Sequence, residues 1–493
     1  MITPVRNSTV AERMEIGRAA RKVRRRIDIG KYVPATDRQD PVATLLQQEK
    51  QRVPELLPLR HSRMAASAFS YLRGAAAVMA ADLGAVPNSG LTVQLCGDAH
   101  LSNLGLFASP DRRLVFDLND FDETNPGPFE WDVIRLATSF EVAARTAGHS
   151  ATYSGQLPKI VAEAYRLNMA KFAAMADLDL WYYRIDTDML TQWAKQADSK
   201  AAVNAVRSTE QVAMARNRWS AVKSLTTAHD GERRFKDKPP LLVSLDADSG
   251  SRDVVSQMYE TYKGSLLVDR EALLSRYHWV DAGHKVVGVG SVGLLAFVLL
   301  LQGRDSEDLL VLQIKEAVNS VLEPYSGGSA YSSHGERVIA GQRLMQASTD
   351  SFLGWVEGPQ GRSYYVRQLR DMKWAPDPLG MNQDQYDAYA NLCGHALARA
   401  HARSGDPVAL SAYLGSSDRF DKAIARFSHD YAVQNDEDYQ KFVSAIDRGE
   451  VTSADEKDVS TRISLQSGND GGASVVASVN PRSSRRSPST RRA

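Results

Sequence analysis

Apolar residues recur at helical spacing along most of this chain, but twice the period drops to that of strands, over Leu91 to Asp122 and again from His284 onward. β-structure confined to two blocks within a mostly helical chain predicts an α+β protein. The first block reads as Leu91 to Leu95, a polar loop, Leu104 to Phe107, the turn Ser109-Pro110-Asp111 and Arg113 to Phe116. The breaker Asn125-Pro126-Gly127-Pro128 closes it, and a helix over Phe129 to Ala147 follows. Helical patterns run on to about Arg276, with Pro239 to Leu245 as an interrupting loop. The second block reads as Lys285 to Val287, Leu294 to Leu301 and Leu309 to Ile314, then a helix over Gly335 to Ala347 and a β-run at Tyr364 to Leu369. Helices Gln383 to Arg403 and onward to about Arg448 complete the chain.

Sixty Lys and Arg stand against fifty-nine Asp and Glu, a formal charge of +1 that excludes a surface basic all over and gives no strong nucleic-acid signal. Cys96 and Cys393 are too few for a disulfide framework or a cysteine-rich zinc site and suit a reducing compartment. The N-terminus lacks the apolar core of a secretory signal. The most apolar run, Val286 to Leu301, is broken by glycines and shorter than the roughly 20 residues a spanning helix needs. A cytoplasmic protein with no membrane partner is expected. The basic cluster Arg21, Lys22, Arg24, Arg25 and Arg26 reads as a solvated helix face, and the Ser- and Arg-rich stretch after Ser464 as a disordered basic tail.

The chemistry concentrates where the first strand block turns. Cys96-Gly97-Asp98-Ala99-His100-Leu101-Ser102-Asn103 places Asp98 and Asn103 in the D-x-x-x-x-N arrangement of a phosphotransfer loop. A short turn between two β-runs puts both side chains on one rim, a carboxylate beside an acceptor hydroxyl and a carboxamide oxygen on magnesium. Downstream, Asp117-Leu118-Asn119-Asp120-Phe121-Asp122-Glu123 ends an apolar strand with four acids. Hard oxygen ligands for magnesium account for that density, and so does a solvated acidic turn. Asp117 or Asp120 shares the metal with Asn103 on the first reading.

The run Gly288-Val289-Gly290-Ser291-Val292-Gly293 is followed by a strand rather than a helix, so it fits a flap over nucleotide phosphates, or a hairpin that merely needs glycine. Lys315 ends the next strand, where a lysine on the α and β phosphates belongs. Glu336, on the following helix, is expected to turn inward and pair with it, with His334, Arg337 and Arg343 on the surface.

Together these residues resemble the kinase-like superfamily, in particular its small-molecule branch of aminoglycoside and choline phosphotransferases, whose loop reads Gly-Asp-x-His-x-x-x-Asn or close to it. Gly97, Asp98, His100 and Asn103 match all but the His-to-Asn spacing. Gly127-Pro128-Phe129-Glu130-Trp131-Asp132-Val133-Ile134-Arg135-Leu136 resembles the helix start after the metal aspartate, which implies that Asp132 supports the catalytic loop. The order is inverted, because the glycine run and lysine come after the catalytic loop. The resemblance therefore implies a two-lobed protein-kinase-like fold in circularly permuted order. Its parts are a helical extension (1–59), a large lobe with the catalytic and metal loops (60–276), a β-rich nucleotide lobe (284–375), C-terminal helices completing the large lobe (376–450) and the tail (451–493). The stretch from about Arg60 to Arg448 also resembles a bacterial domain family of unknown function, number 2252, through "QLCGDAHLSNLGLF", "VFDLNDFDET", "GPFEWDVIRLA", "VGVGSVG", "QIKEA" and "YYVRQLRDMK".

The implied activity is an ATP- and Mg2+-dependent phosphotransfer to an unknown hydroxyl acceptor, a small molecule or a protein. Asp98, His100 and Asn103 form its catalytic set. Gly288, Gly290, Ser291, Gly293, Lys315 and Glu336 hold the nucleotide, and Asn103 with Asp117 or Asp120 holds the metal. Nucleotidyl transfer with the ATP turned round is a related alternative. A metallophosphoesterase shares the opening Gly-Asp-x-His but needs further His and Asn ligands. A non-catalytic nucleotide-binding pseudokinase is the third.

Overall fold

A computed structural model describes residues 8–229, 232–245, 250–369, 372–459, 461–467 and 473–479. Helix α1 (Val10–Val23) starts at a capping box in which Thr9 and Glu12 satisfy each other's backbone N–H groups. Gly17 lets it close on helix Pro407–Leu414, since a Cβ there would collide with the Ala409 backbone. Arg21 donates to the Tyr413 carbonyl at 2.6 Å, and Arg26 to that of Leu414. Two members of the basic cluster thus cap the carbonyl end of that helix, where unpaired oxygens gather negative potential, instead of facing solvent.

Helices α2 (Leu57–Ala65) and α3 (Ala68–Gly74) lead to β1 (Thr92–Leu95), then to the expected hairpin of β2 (Leu104–Ala108) and β3 (Leu114–Leu118), with Leu104 opposite Leu118. The segment expected to break the chain is itself a strand, β4 (Asn125–Pro128), paired with β1. Helix α4 (Phe129–Thr146) is buried almost all round, polar residues such as Glu130, Asp132, Arg135 and Glu141 included. Helix α5 (Leu157–Ala173) packs beside it.

The second block is one antiparallel sheet. Its strands are β5 (Leu242–Ser244), β6 (His278–Lys285), β7 (Ala296–Gln302) and β8 (Leu309–Ala317), then, after helix α6 (His334–Met345), β9 (Gly354–Glu357) and β10 (Ser363–Gln368). Their spatial order is β9-β10-β8-β7-β6-β5. One face packs Phe297, Leu299, Leu312 and Val366 against Tyr262, and the other packs Val298, Leu300 and Val311 against Val222 and Phe235. Burial of β7 on both faces is why its sequence is an unbroken apolar run. Strand β6 ends where the sequence pattern expects it to begin, because buried Asp281 and His284 interrupt its alternation, and β5 occupies the expected loop. Helices α7 (Gln383–Ser404) and α8 (Arg419–Asp447) return to pack on α4 and α5.

In the C-terminal stretch, Thr461–Ser467 pairs antiparallel with Ala473–Val479, where no regular structure is expected. The rest of that basic tail, 468–472 and 480–493, lies outside the described residues. No helix among the described residues is long and apolar enough to cross a membrane.

Two buried histidines make the fold acid-sensitive. Burial pushes His284 down to about 4, and His395, sandwiched between Trp193 and Tyr183, down to about 3. Both stay neutral in the folded chain while the unfolded chain takes up protons below about 6.5. Their contribution is complete above that value and is lost as pH falls toward 4, at about 3 kcal/mol or more for each group. Urea midpoints measured from pH 7.5 to 4.5 are expected to fall steadily, and His395→Phe, which keeps the ring stack, to flatten the slope.

Candidate functional site

Gly97 has φ +88°, and a Cβ there would collide with the Glu123 carbonyl, so only glycine presents Asp98 in this way. In the first turn of α4, Asp132 accepts the backbone N–H groups of Cys96 at 2.8 Å and Gly97 at 3.1 Å, and lies 3.2 Å from Nε2 of His401 on α7. The Asp98 carboxylate accepts from Nε of Arg135 at 2.7 Å and pairs with its Nη2 at 2.6 Å. Asn103 donates to the Asp98 carbonyl at 2.9 Å, and the Asn119 N–H donates to the Asn103 carbonyl at 2.9 Å, tying the loop to the acidic segment. Burial, with Arg73 and Arg135 nearby, pushes His100 well below the usual histidine range, so its ring is neutral.

The acidic segment divides its carboxylates between two tasks. Asp117 is buried, ion-paired with Arg399 of α7, and accepts the N–H groups of Leu118 at 2.8 Å and Ala347 at 3.1 Å. It joins β3 to α7 and to the end of α6, and its oxygens are consumed. Asp120 faces the cleft instead, with a buried Oδ1 that has no partner. Burial and the neighbouring Asp122 raise its pKa, against the pull of Lys315, Arg367 and Lys373. Asp122 pairs with Lys315 and accepts the hydroxyls of Tyr365 at 2.7 Å and Ser291 at 3.1 Å. Although burial opposes it, that pairing holds Asp122 below the usual carboxylate range and keeps Lys315 charged.

Glu336 does not reach Lys315. Capped by Ser333, α6 turns Arg337, Val338, Gly341, Gln342 and Met345 inward and leaves Glu336 half-exposed. Arg337, expected on the surface, is buried and donates to the carbonyls of Asp122 at 2.9 Å and Val318 at 2.7 Å. The lysine's acidic partner therefore comes from the segment after β3.

A cleft of about 1030 Å³ opens between the sheet and this segment, walled by Gly288, Ser291, Lys315, Asn119, Asp120 and Arg367. Lys373 lines it too, with Arg63, Arg112, Arg216 and Lys285, so cations far outnumber the carboxylates Asp120 and Asp350. Its walls do not include Asp98, His100, Asn103, Asp117 or Glu336. Three arginines from before α3 clasp the glycine run by its carbonyl oxygens. Arg52 takes Val292 at 2.6 Å, Arg60 takes Val289 at 3.1 Å and Gly290 at 3.0 Å, and Arg63 takes Gly288 at 2.7 Å. In a trans peptide the N–H lies opposite the carbonyl, so the next N–H groups point away from the clasp. Sequence reading misses this clasp, as it misses Arg399, because neither arginine-rich helices nor a lone helical arginine carry a local signal. Arg135, one turn after Asp132 on the same helix, was within reach of the spacing argument.

Among the described residues no three His, Cys, Asp or Glu side chains converge to hold a metal. A divalent ion beside Asp120 would need further oxygens from a carboxamide and from its ligand. No curated protein and no solved structure matches the chain. The family described as "uncharacterized protein conserved in bacteria (DUF2252)" matches residues 52–445, a span that takes in the Asp98 loop, the acidic segment, the glycine run and Lys315 alike, and the chain belongs to that family.

Proposed function

We propose that this protein is an ATP- and magnesium-dependent phosphotransferase of kinase-like type, with its two lobes in circularly permuted order. The observation that carries this reading is the meeting of Lys315 with the Asp120-Phe121-Asp122 segment, 193 residues apart between Lys315 and Asp122, beside the glycine run. Strand, glycine loop, strand, lysine strand, helix and two more strands follow in the order a nucleotide lobe requires. Helix α7, tied to Asp117 by Arg399 and beside Asp132 through His401, backs the Asp98 loop supplied by the first half of the chain.

In this reading the triphosphate enters the basic cleft and takes Lys315, Arg367 and the loop N–H groups as partners. Asp120 and Asn103 would hold magnesium, and the unpartnered Oδ1 of Asp120 among cations fits that task better than the consumed carboxylate of Asp117. The ion would neutralise phosphate charge. Asp98, oriented by Arg135, accepts the proton of the acceptor hydroxyl. With ATP, Mg2+ and a panel of hydroxyl compounds, ADP is the expected product, and Asp98→Asn is expected to slow its formation by about 10²-fold or more. Release of pyrophosphate would instead assign nucleotidyl transfer to the same groups.

A further inference from the structure

We infer that Arg73 is a second anion-binding group of this site, contributed by α3 rather than by either strand block, and that it receives the terminal phosphoryl group as it passes from the cleft toward Asp98. The inference rests on the phosphotransferase reading. Its geometry comes from the residues on either side. The Leu72 carbonyl accepts from Arg135 at 2.8 Å, the guanidinium that holds Asp98. The Gly74 carbonyl accepts from Arg60 at 2.8 Å, the guanidinium that holds Val289 and Gly290 of the glycine run. Arg73 is thereby pinned between the Asp98 loop and the glycine run, its own carbonyl directly against Gly290.

The side chain is half-buried over the Phe69 ring, which meets His100 in a T-shaped contact. Its Nε is buried with no partner, and no carboxylate among the described residues pairs with it. Asp98 and Asp120 act on it only through space. An arginine stays charged in such a half-buried position, and its buried Nε without a partner leaves a donor for an arriving anion. The Asp98 loop supplies no cation of its own, because His100 is neutral and Arg135, reaching it from α4, is committed to Asp98. In the transfer the acceptor oxygen bonds the γ-phosphorus while the bond to the β–γ bridging oxygen breaks. ADP leaves with that electron pair and the hydroxyl proton passes to Asp98. Arg73 faces the charge on the transferring group.

The test titrates magnesium tripolyphosphate, ATP with magnesium and ADP with magnesium into the unmodified protein, Arg73→Met and Arg73→Lys, and records each ligand-free melting temperature. Arg73→Met is expected to melt at or above the unmodified protein. It should bind tripolyphosphate and ATP about tenfold more weakly, and ADP within about threefold, with Arg73→Lys recovering most of the loss. A lower melting temperature with tripolyphosphate and ATP affinities within about threefold would make Arg73 a structural residue and overturn the inference. Failure of the unmodified protein to bind either polyphosphate would overturn it as well. Arg73-dependent binding of tripolyphosphate that adenosine does not improve would leave Arg73 assigned and remove the nucleotide reading instead.

Discussion

Asp117→Ala is expected to destabilise the protein by about 3–5 kcal/mol, the loss typical when one member of a buried ion pair is removed. Arg399 is then left charged in the interior, retaining a hydrogen bond to the Met345 carbonyl at 2.6 Å, and the N–H groups of Leu118 and Ala347 lose their acceptor. Asp120→Ala should do the opposite in the absence of ligand. It removes a carboxylate whose buried Oδ1 has no partner and whose neighbour is Asp122, so stability should hold or rise slightly. Denaturant midpoints of the two variants separate the roles directly. A stable Asp117→Ala protein, or an Asp120→Ala protein as damaged as Asp117→Ala is expected to be, would undo the division between anchor and ligand.

Arg60→Leu is the other large effect, again about 3–5 kcal/mol. Arg60 is 0% exposed, and its guanidinium bonds Glu49 at 3.0 Å and the carbonyls of Val289, Gly290 and Gly74. Leucine fills the volume and leaves Glu49 with His61, takes the donor from the carbonyls of Gly74 and Gly290, and leaves that of Val289 with only the Val292 N–H at 3.4 Å. Because Arg60 joins the N-terminal helices to the glycine run, the loss should also appear locally. Amide hydrogen exchange over Gly288 to Gly293 is expected to accelerate more than exchange in β7. Uniform acceleration across the sheet would show that Arg60 stabilises the fold without shaping the loop.

The parts of the site that were legible in the sequence are those whose chemistry is local. The glycine-led turn at Gly97, the D-x-x-x-x-N spacing, the glycine run before a strand and the strand-end lysine each announce a backbone or charge requirement within a few residues. What could not be read is partner choice. Asp117 and Asp120 sit three residues apart in the same acidic run. Arg399, 282 positions away from Asp117, decides which of them is consumed. Adjacent Glu336 and Arg337 differ by one helical step, and Ser333 as the cap, rather than any pairing rule, sets which faces inward. Strand β6 was obscured because buried Asp281 and His284 look like loop residues until their surroundings are known. The hairpin at Thr461–Ser467 and Ala473–Val479 was hidden by a composition that averages a short alternating run with a Ser- and Arg-rich end.

The most direct test of the central claim is the change in melting temperature on adding ATP, with and without magnesium, to the unmodified protein and to Lys315→Ala, Asp120→Ala and Glu336→Ala. At about 100 times the dissociation constant a ligand adds roughly 2.7 kcal/mol, which is readily measured. The account predicts a magnesium-dependent rise in the unmodified protein and in Glu336→Ala, and its loss in Lys315→Ala and Asp120→Ala. No rise in the unmodified protein, or one that survives both of those changes, would contradict it.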